Sequence, residues 1–419
     1  MPSAPNLPLR WYLTSTALYL VPGGIQMVLF PFLVVVLLHE TPERVGLAQM
    51  ASQLPMLLLI LWGGLLGDRV DQRRLLIFLQ IGMMLPPLVM AGLIASGHVV
   101  YEYLIAWAVI GGCFGAFAQP ARDALLNRVA GREIQRVVTL SVGVQFGIQV
   151  VGFAIGSTAD RVGPPVLLVC MAGFMLLASL ATSRIPALGT VSRPPRRHPL
   201  HEIGEGLALA WRSPVIRPSI VQTFAVGIFF AGTYMVILPL MVRDLYAGSA
   251  SGIAAVFAAN MLGTCTTIMW LIRRGGLVRP GRALLSMGLV SCVVLSTLHF
   301  ELPEWLFYAM VYAWGMCGGV NMTMSRSIVQ EAAPETHRAR IMSVYSLGMM
   351  GGMPIGSLLL GWSVGQFGAR DAVLVPVVGM ALVVLLLLAT SRLWWVERTS
   401  GHLEAAAAGA QSREATPSV

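Results

Sequence analysis

The densest chemistry in the chain lies at residues 68–74, where Asp68, Arg69, Asp71, Arg73 and Arg74 follow the glycines Gly64 and Gly67. Two carboxylates and three guanidiniums on one short connection can do electrostatic work. They can pair, cap helices, or dock a carboxylate on a neighbouring helix N-terminus, which carries about half a positive charge. Covalent chemistry has much less to build on. The seven histidines (His39, His98, His198, His201, His299, His337 and His402) fall near the ends of apolar runs or between them. The five cysteines (Cys113, Cys170, Cys265, Cys292 and Cys317) lie inside such runs without metal-ligand spacing. No metal, disulfide or cofactor is expected. The chain has no Lys, so all 28 basic residues are Arg, and a phosphate-binding loop of the G-x-x-x-x-G-K type is excluded.

The elements that position these charges follow from composition. Of 419 residues, 56% are hydrophobic and only 11% charged, and mean hydropathy is +0.75. About a quarter of a soluble domain would be charged. The chain therefore reads as an all-α, multi-pass membrane protein, because a segment in lipid must satisfy its backbone hydrogen bonds internally. Twelve runs are long enough to span, near 9–38, 43–67, 73–96, 99–120, 134–159, 163–185, 214–242, 247–272, 279–299, 303–325, 338–362 and 370–394. The first follows a stretch containing Arg10, lacks a small-residue cleavage site, and is expected to be a retained helix. If both termini are cytoplasmic, Arg44, Arg161, Arg243 and Arg370 fall outside and the other 24 arginines inside, as the positive-inside rule requires. Charge spread over short loops forms no nucleic-acid stripe despite the net +9.

Six spans precede and six follow a Pro- and Arg-rich stretch at 186–213. The reading is a first six-helix bundle at 1–185, a cytoplasmic linker at 186–213 with an interfacial helix from Leu200 to Trp211, a second bundle at 214–399, and a disordered tail at 400–419. The linker's basic face could meet anionic lipid heads, at about 1 kcal/mol per Arg near the surface. Sliding one half over the other by 204 residues superposes Arg122 on Arg326, Arg136 on Arg340, Gly147 on Gly351 and Gly152 on Gly356. That repeat supports two pseudo-symmetric bundles, a known transporter architecture.

Gly64, Leu66, Gly67, Asp68 and Arg69, followed by Arg73, Arg74 and Leu76, resemble the loop 2–3 signature of the major facilitator superfamily. Asp71 stands where that signature has Gly, and Gln72 where it has Arg. Asp71, the run Gln119 to Leu126 with Arg132 and Glu133, and the run Gln330 to Glu335 with Arg338 to Arg340 are similar to the branch of the enterobactin exporter and macrolide efflux proteins. The resemblance implies a twelve-helix fold that works by alternating access. It implies that Asp68 docks on the start of helix 11, near Arg338 to Met342, and that Gly64 and Gly67 allow close approach. The family's motif Arg pairs with a helix 4 acid, here Asp123; with Gln72 in its slot, the contact must shift to Arg73 or be lost. The second half has no Asp at the equivalent place. In helix 5, Phe153 follows Gly152 where antiporters carry Pro, leaving Gly143, Gly147, Gly152 and Gly156 for packing. Helix 11 keeps Gly351, Gly352, Pro354 and Gly356, a site for a bend.

In that fold helices 1, 4, 7 and 10 line the cavity and 2, 5, 8 and 11 flank it. The polar candidates there are Gln26, Gln145, Gln149, Gln222, Asn260 and Asn321, and the aromatic ones Phe30, Phe146, Phe230, Tyr234 and Trp314. Buried amides need a partner or a wet cavity. Trp62, Trp394 and Trp395 read as interfacial anchors. No Asp or Glu lies mid-span, so the proton, the coupling ion the family implies, has Glu102 as its best candidate site; Asp160 and Arg161 lie at the outer end of helix 5. Amides and aromatics without buried charge suit a neutral or hydroxyl-rich amphiphile. The leading expectation is a proton-driven exporter, monomeric, in a bacterial inner membrane, carrying a siderophore; macrolide or multidrug efflux is the alternative. A lysophospholipid flippase, a transport-like sensor and an intramembrane enzyme are competing classes, the last lacking any clustered nucleophile or acid pair.

Overall fold

The protein is described by a computed structural model covering residues 7–130, 134–186, 199–274 and 277–397, with the side chains of residues 61, 64–69, 130, 134–143, 146, 199–203 and 339 outside the description. The first six passes are α1 (Leu7–Leu37), α2 (Pro42–Arg69), α3 (Gln72–Ala95), α4 (Tyr101–Ala130), α5 (Ile134–Gly156) and α6 (Pro164–Ser183). Helix α7 (Pro199–Arg212) joins them to α8 (Ile216–Leu245), α9 (Ala250–Arg273), α10 (Pro280–His299), α11 (Glu304–Ala332), α12 (Arg338–Asp371) and α13 (Leu374–Thr390). Among the described residues, eight helices are long and apolar enough to cross a bilayer. The tail at 400–419 and residues 187–198 of the linker lie outside the described residues.

Most spans are close to the expected positions, but α4 and α11 run past the expected 120 and 325 to Ala130 and Ala332. The eleventh run, expected to stop at 362, also runs on: α12 continues to Asp371 with its helical geometry broken at Gly368 (φ 80). The apolar pattern fades at Ser363 to Gly368, but a helix continues into the interface without it. Each pass reverses the last, so Leu7 and the linker lie on one face, here the terminal face, and the α1–α2 and α5–α6 connections on the other, the distal face.

Glycines set how closely the helices pack. A Cβ on Gly24 of α1 would lie 2.8 Å from Gly152 Cα of α5, and one on Gly232 of α8 would lie 2.8 Å from the Gly356 carbonyl carbon of α12. With no hydrophobic drive between helices in lipid, such backbone approach is a main source of packing energy. Both α1 and α8 loosen into π-helical turns, at Phe32–Leu37 and at Val226–Ala231 with Thr233–Ile237. In α1 the change follows Pro31, which lacks the N–H that would continue the regular ladder.

The apolar core is continuous through both bundles on the distal side: Leu29, Leu33, Leu104 and Phe153 join Ile237, Val256, Phe257 and Phe307. On the terminal side two further cores stand apart. One holds Tyr12, Leu76, Leu79, Ala121, Leu125 and Ile185 of the first bundle. The other holds Ala210, Ile216, Ile220, Val329 and Ile341 of the second bundle and α7. Among the described residues, the two bundles share one core distally, and these two terminal cores are separate from it.

Inside the first bundle the buried side chains of Ser15, Gln80 and Thr182 tie α1, α3 and α6 together. The Thr182 hydroxyl lies 2.6 Å from the Ser15 hydroxyl and donates to Gln80 Oε1 at 3.0 Å. Thr182→Val leaves Gln80 and Ser15 short of a partner, a cost of about 1–3 kcal/mol. Thermal unfolding in detergent is expected to show a clearly lower midpoint, and an unchanged one would mean the hydroxyl is dispensable.

Candidate functional site

On the central face of the second bundle α8, α9, α11 and α12 surround a cavity of about 200 Å³. Its wall brings together six residues singled out above, Gln222, Phe230 and Tyr234 on α8, Asn260 on α9, and Trp314 and Asn321 on α11. No charged side chain appears among its described lining residues.

The polar groups form a small network. Gln222, 1% exposed, donates from Nε2 to Asn321 Oδ1 at 3.2 Å, and Asn321 donates to the Cys317 carbonyl at 3.1 Å. Gln222 Oε1 is buried without a protein partner. One turn along, the Thr223 and Ser325 hydroxyls are 2.7 Å apart. On the aromatic side Phe230 and Trp314 meet edge to face at 5.7 Å, and Tyr234 lies 4.6 Å from Phe257. A flat or ring-bearing molecule would meet aromatic surface there, beside the amides of Asn260 and Asn321.

The remaining substrate candidates are dispersed. Gln26 lines a second cavity of about 100 Å³ within the first bundle, beside Tyr19, Trp107, Met171 and Met175. Gln149 donates to Met27 Sδ at 2.9 Å, and Gln145 is exposed. Phe30 is buried in the apolar core and packs edge to face on Trp107 at 5.8 Å. The side chain of Phe146 lies outside the described residues.

The gating candidates also sort differently. Gly64, Gly67, Asp68 and Arg69 end α2, but their side chains lie outside the description. Arg73 does not pair with Asp123. Its guanidinium donates to the carbonyls of Thr182 and Ser183, the free end of α6, where a cation satisfies unpaired acceptors and the helix dipole together. Asp123 is met by its own helix, accepting from Gln119 Nε2 at 3.3 Å. Asp71 caps α3 by accepting the Arg73 N–H at 2.9 Å. Gln72, in the slot of the usual Arg, accepts from Arg128 of α4 at 2.6 Å.

Glu102 is exposed in the first turn of α4 at the distal face. The charge that is buried was missed. Arg122, 7% exposed, stacks over Tyr19 at 5.0 Å, donates to Gln119 and leaves Nη1 unpartnered. Its signal was faint, because an Arg at a helix end beside Asp123 reads as interfacial.

The distal side is shut by contacts between bundles. Arg243 donates to the Glu40 carbonyl at 2.9 Å, Phe153 meets Phe257 at 6.1 Å, and Gly46 of α2 lies against Ser357 and Gly361 of α12. Burial pushes the Tyr246 hydroxyl up, against Arg370 and with Glu304, so it stays a neutral donor to the Leu302 carbonyl at 3.0 Å.

The all-helical fold holds a cavity inside each bundle, and the family it belongs to is shown by its sequence. The Major Facilitator Superfamily profile matches residues 13–357, and the chain belongs to that superfamily. Similar solved structures share the fold at low identity. The nucleoside transporter NupG has a TM-score of 0.75 at 13% identity, covering 92% of this chain and 99% of that one. A bacterial homolog of the human lysosomal transporter Spinster, in an inward-facing and unoccupied conformation, has 0.73 at 11%, covering 95% and 100%. An auto-inhibited POT family peptide transporter has 0.69 at 12%, covering 94% and 97%. No curated protein sequence matches the chain.

Proposed function

We propose that the chain is a secondary exporter of a neutral, hydroxyl-bearing aromatic amphiphile, of which a siderophore is the favoured kind. The observation that carries this reading is the cavity of α8, α9 and α11, whose described lining holds the amides of Gln222, Asn260 and Asn321 and the Phe230 and Trp314 rings but no charge. Placing both termini in the cytoplasm of a bacterial inner membrane is supported by the arginine count of 24 against 4. With that orientation the contacts of Arg243 with Glu40 and of Gly46 with Gly361 lie on the outer side, which supports loading from the cytoplasm. The direction of transport and proton drive rest on the resemblance of the α4–α5 and α11–α12 connections to the exporter branch. The chain is read as acting singly, with lipid as its surroundings.

Purified protein in proteoliposomes tests this with a proton gradient and two probes, a catecholate siderophore and a macrolide. Saturable, gradient-dependent flux of the siderophore is expected. Trp314→Ala and Gln222→Leu are each expected to lower it by about 10-fold, the effect of about 1.4 kcal/mol. Flux of the macrolide alone would replace the substrate class, and a chemically altered probe would replace transport by catalysis.

A further inference from the structure

The distal face carries a contact between the bundles that repeats the chemistry of residues 68–74 on the opposite side of the membrane. After α5 the chain makes a short helical turn at Ala159–Val162. There Asp160 reaches across to the other bundle, its Oδ2 accepting the backbone N–H groups of Ala250 at 2.8 Å and Ser251 at 3.3 Å. These are the first two residues of the 24-residue helix α9. The free N–H groups of that helix start are shared between two carriers: Ser249 of its own chain segment accepts from Gly252 at 3.0 Å, and Asp160 takes the two before it. An anion at that position also meets the positive end of the helix dipole.

The sequence carries a matching segment at the opposite face. Gly156, Asp160, Arg161 and Val162 repeat Gly64, Asp68, Arg69 and Val70 at the same internal spacing, ninety-two residues further on. Helices α2 and α5 begin the same distance apart, at Pro42 and Ile134. They cross the bilayer in opposite directions, so the repeated end falls at the terminal face in one and at the distal face in the other. In the second bundle α9 starts at the distal face and α12 at the terminal face, again antiparallel. Inverted three-helix repeats nested within each half of such transporters account for this arrangement.

We infer that Asp160 is the distal clamp of the transport cycle, the inverted-repeat counterpart of Asp68. It holds the first bundle to the start of α9 while the terminal side is parted. It is released when the distal side opens and the start of α12, from Arg338 to Met342, becomes the dock for Asp68. The inference rests on the alternating-access reading given above. It assigns Asp160 a positioning role for the bundles and no contact with the solute. Around the clamp, Arg243 on the Glu40 carbonyl and Gly46 against Gly361 close the same face, so Asp160 acts with them.

Spin-label distance measurements on the full chain test this, after replacement of the five native cysteines. One label pair, at His98→Cys and Phe300→Cys, reports the distal face; another, at Asn127→Cys and Thr336→Cys, reports the terminal face. All four positions are exposed. Asp160→Ala and Asp160→Asn are expected to raise the distal-open to distal-closed ratio by about 10-fold, within the range of coupling between two-state elements. Asp68→Asn is expected to move both pairs in the opposite sense, and the double variant to return toward the parent ratio. That opposition separates a clamp from a misfolded chain, which would broaden both distributions. Distal distances that ignore Asp160→Ala while responding to Asp68→Asn would overturn the clamp and leave alternating access standing. If no variant and no solute yields a second distance population, both fall.

Discussion

Asp68→Asn is expected to lower solute flux by about 5- to 150-fold while the protein still inserts and folds. The figure is the span of ordinary coupling energies of about 1–3 kcal/mol between two states. Asn keeps the size and the hydrogen-bonding oxygen but removes the charge that a helix start attracts. The loss therefore falls on one state, the one with the terminal face shut. In the present structure the terminal cores of the two bundles, around Leu79 and around Ile220, are separate, so the conformation seen here does not depend on a closed terminal side. Flux assays with quantified membrane expression check the prediction, and flux at the parent level would remove the clamp role of Asp68.

Gly46→Leu is expected to have the second large effect, in the opposite direction along the cycle. A Cβ on Gly46 would collide with the Ser357 carbonyl and lie 3.0 Å from Gly361 Cα; one on Gly361 would lie 2.7 Å from the Pro42 carbonyl. Backbone lines both sides of this contact, so nothing flexible can move aside. Overpacking of this kind costs about 1–3 kcal/mol, and sometimes more. Because α2 and α12 meet there across the bundles, the cost falls on the distal-closed state. Flux should drop by at least about 10-fold, and the distal label pair should lengthen. Gly173→Leu is the control, since nothing lies within 4 Å of its Cβ position; its flux should match the parent. Equal losses from both would show that bulk, and not the contact, is responsible.

Much of this architecture was legible in the sequence, because lipid leaves few choices. A run of about 20 apolar residues must be helical, and twelve of them in two matched halves leave little freedom in how they assemble. The cavity was legible in part for a related reason. An amide such as Asn260 or Asn321 at mid-span needs a partner or a wet wall, and in the second bundle those amides and the rings of Tyr234 and Trp314 do share one wall. Phe30 packs instead on Trp107, and an aromatic side chain gives no sign in the sequence of whether it faces a void or another ring.

Charges were harder to read. Arg73 has several acceptors within its reach, and sequence spacing does not rank the carbonyls of Thr182 and Ser183 above the carboxylate of Asp123. Arg122 entered the sequence reading only through its match to Arg326, and nothing there pointed to the Tyr19 ring its guanidinium stacks on. Asp160 was placed only at the outer end of helix 5, because its partner, the start of α9, is 90 residues away in the chain. The repeat with Asp68 was present in the letters all along. It became meaningful only when α2 and α5 were seen to run antiparallel.

The central claim is that one cavity is reached from one face at a time. Labelling of Asn260→Cys, on the cavity wall, by a membrane-impermeant maleimide in right-side-out and inverted vesicles tests it most directly. The account predicts reaction from the terminal face in the resting protein, and from the distal face only when solute is cycling or Asp160 is replaced. Reaction from both faces at once in the resting protein would describe an open pore and contradict it.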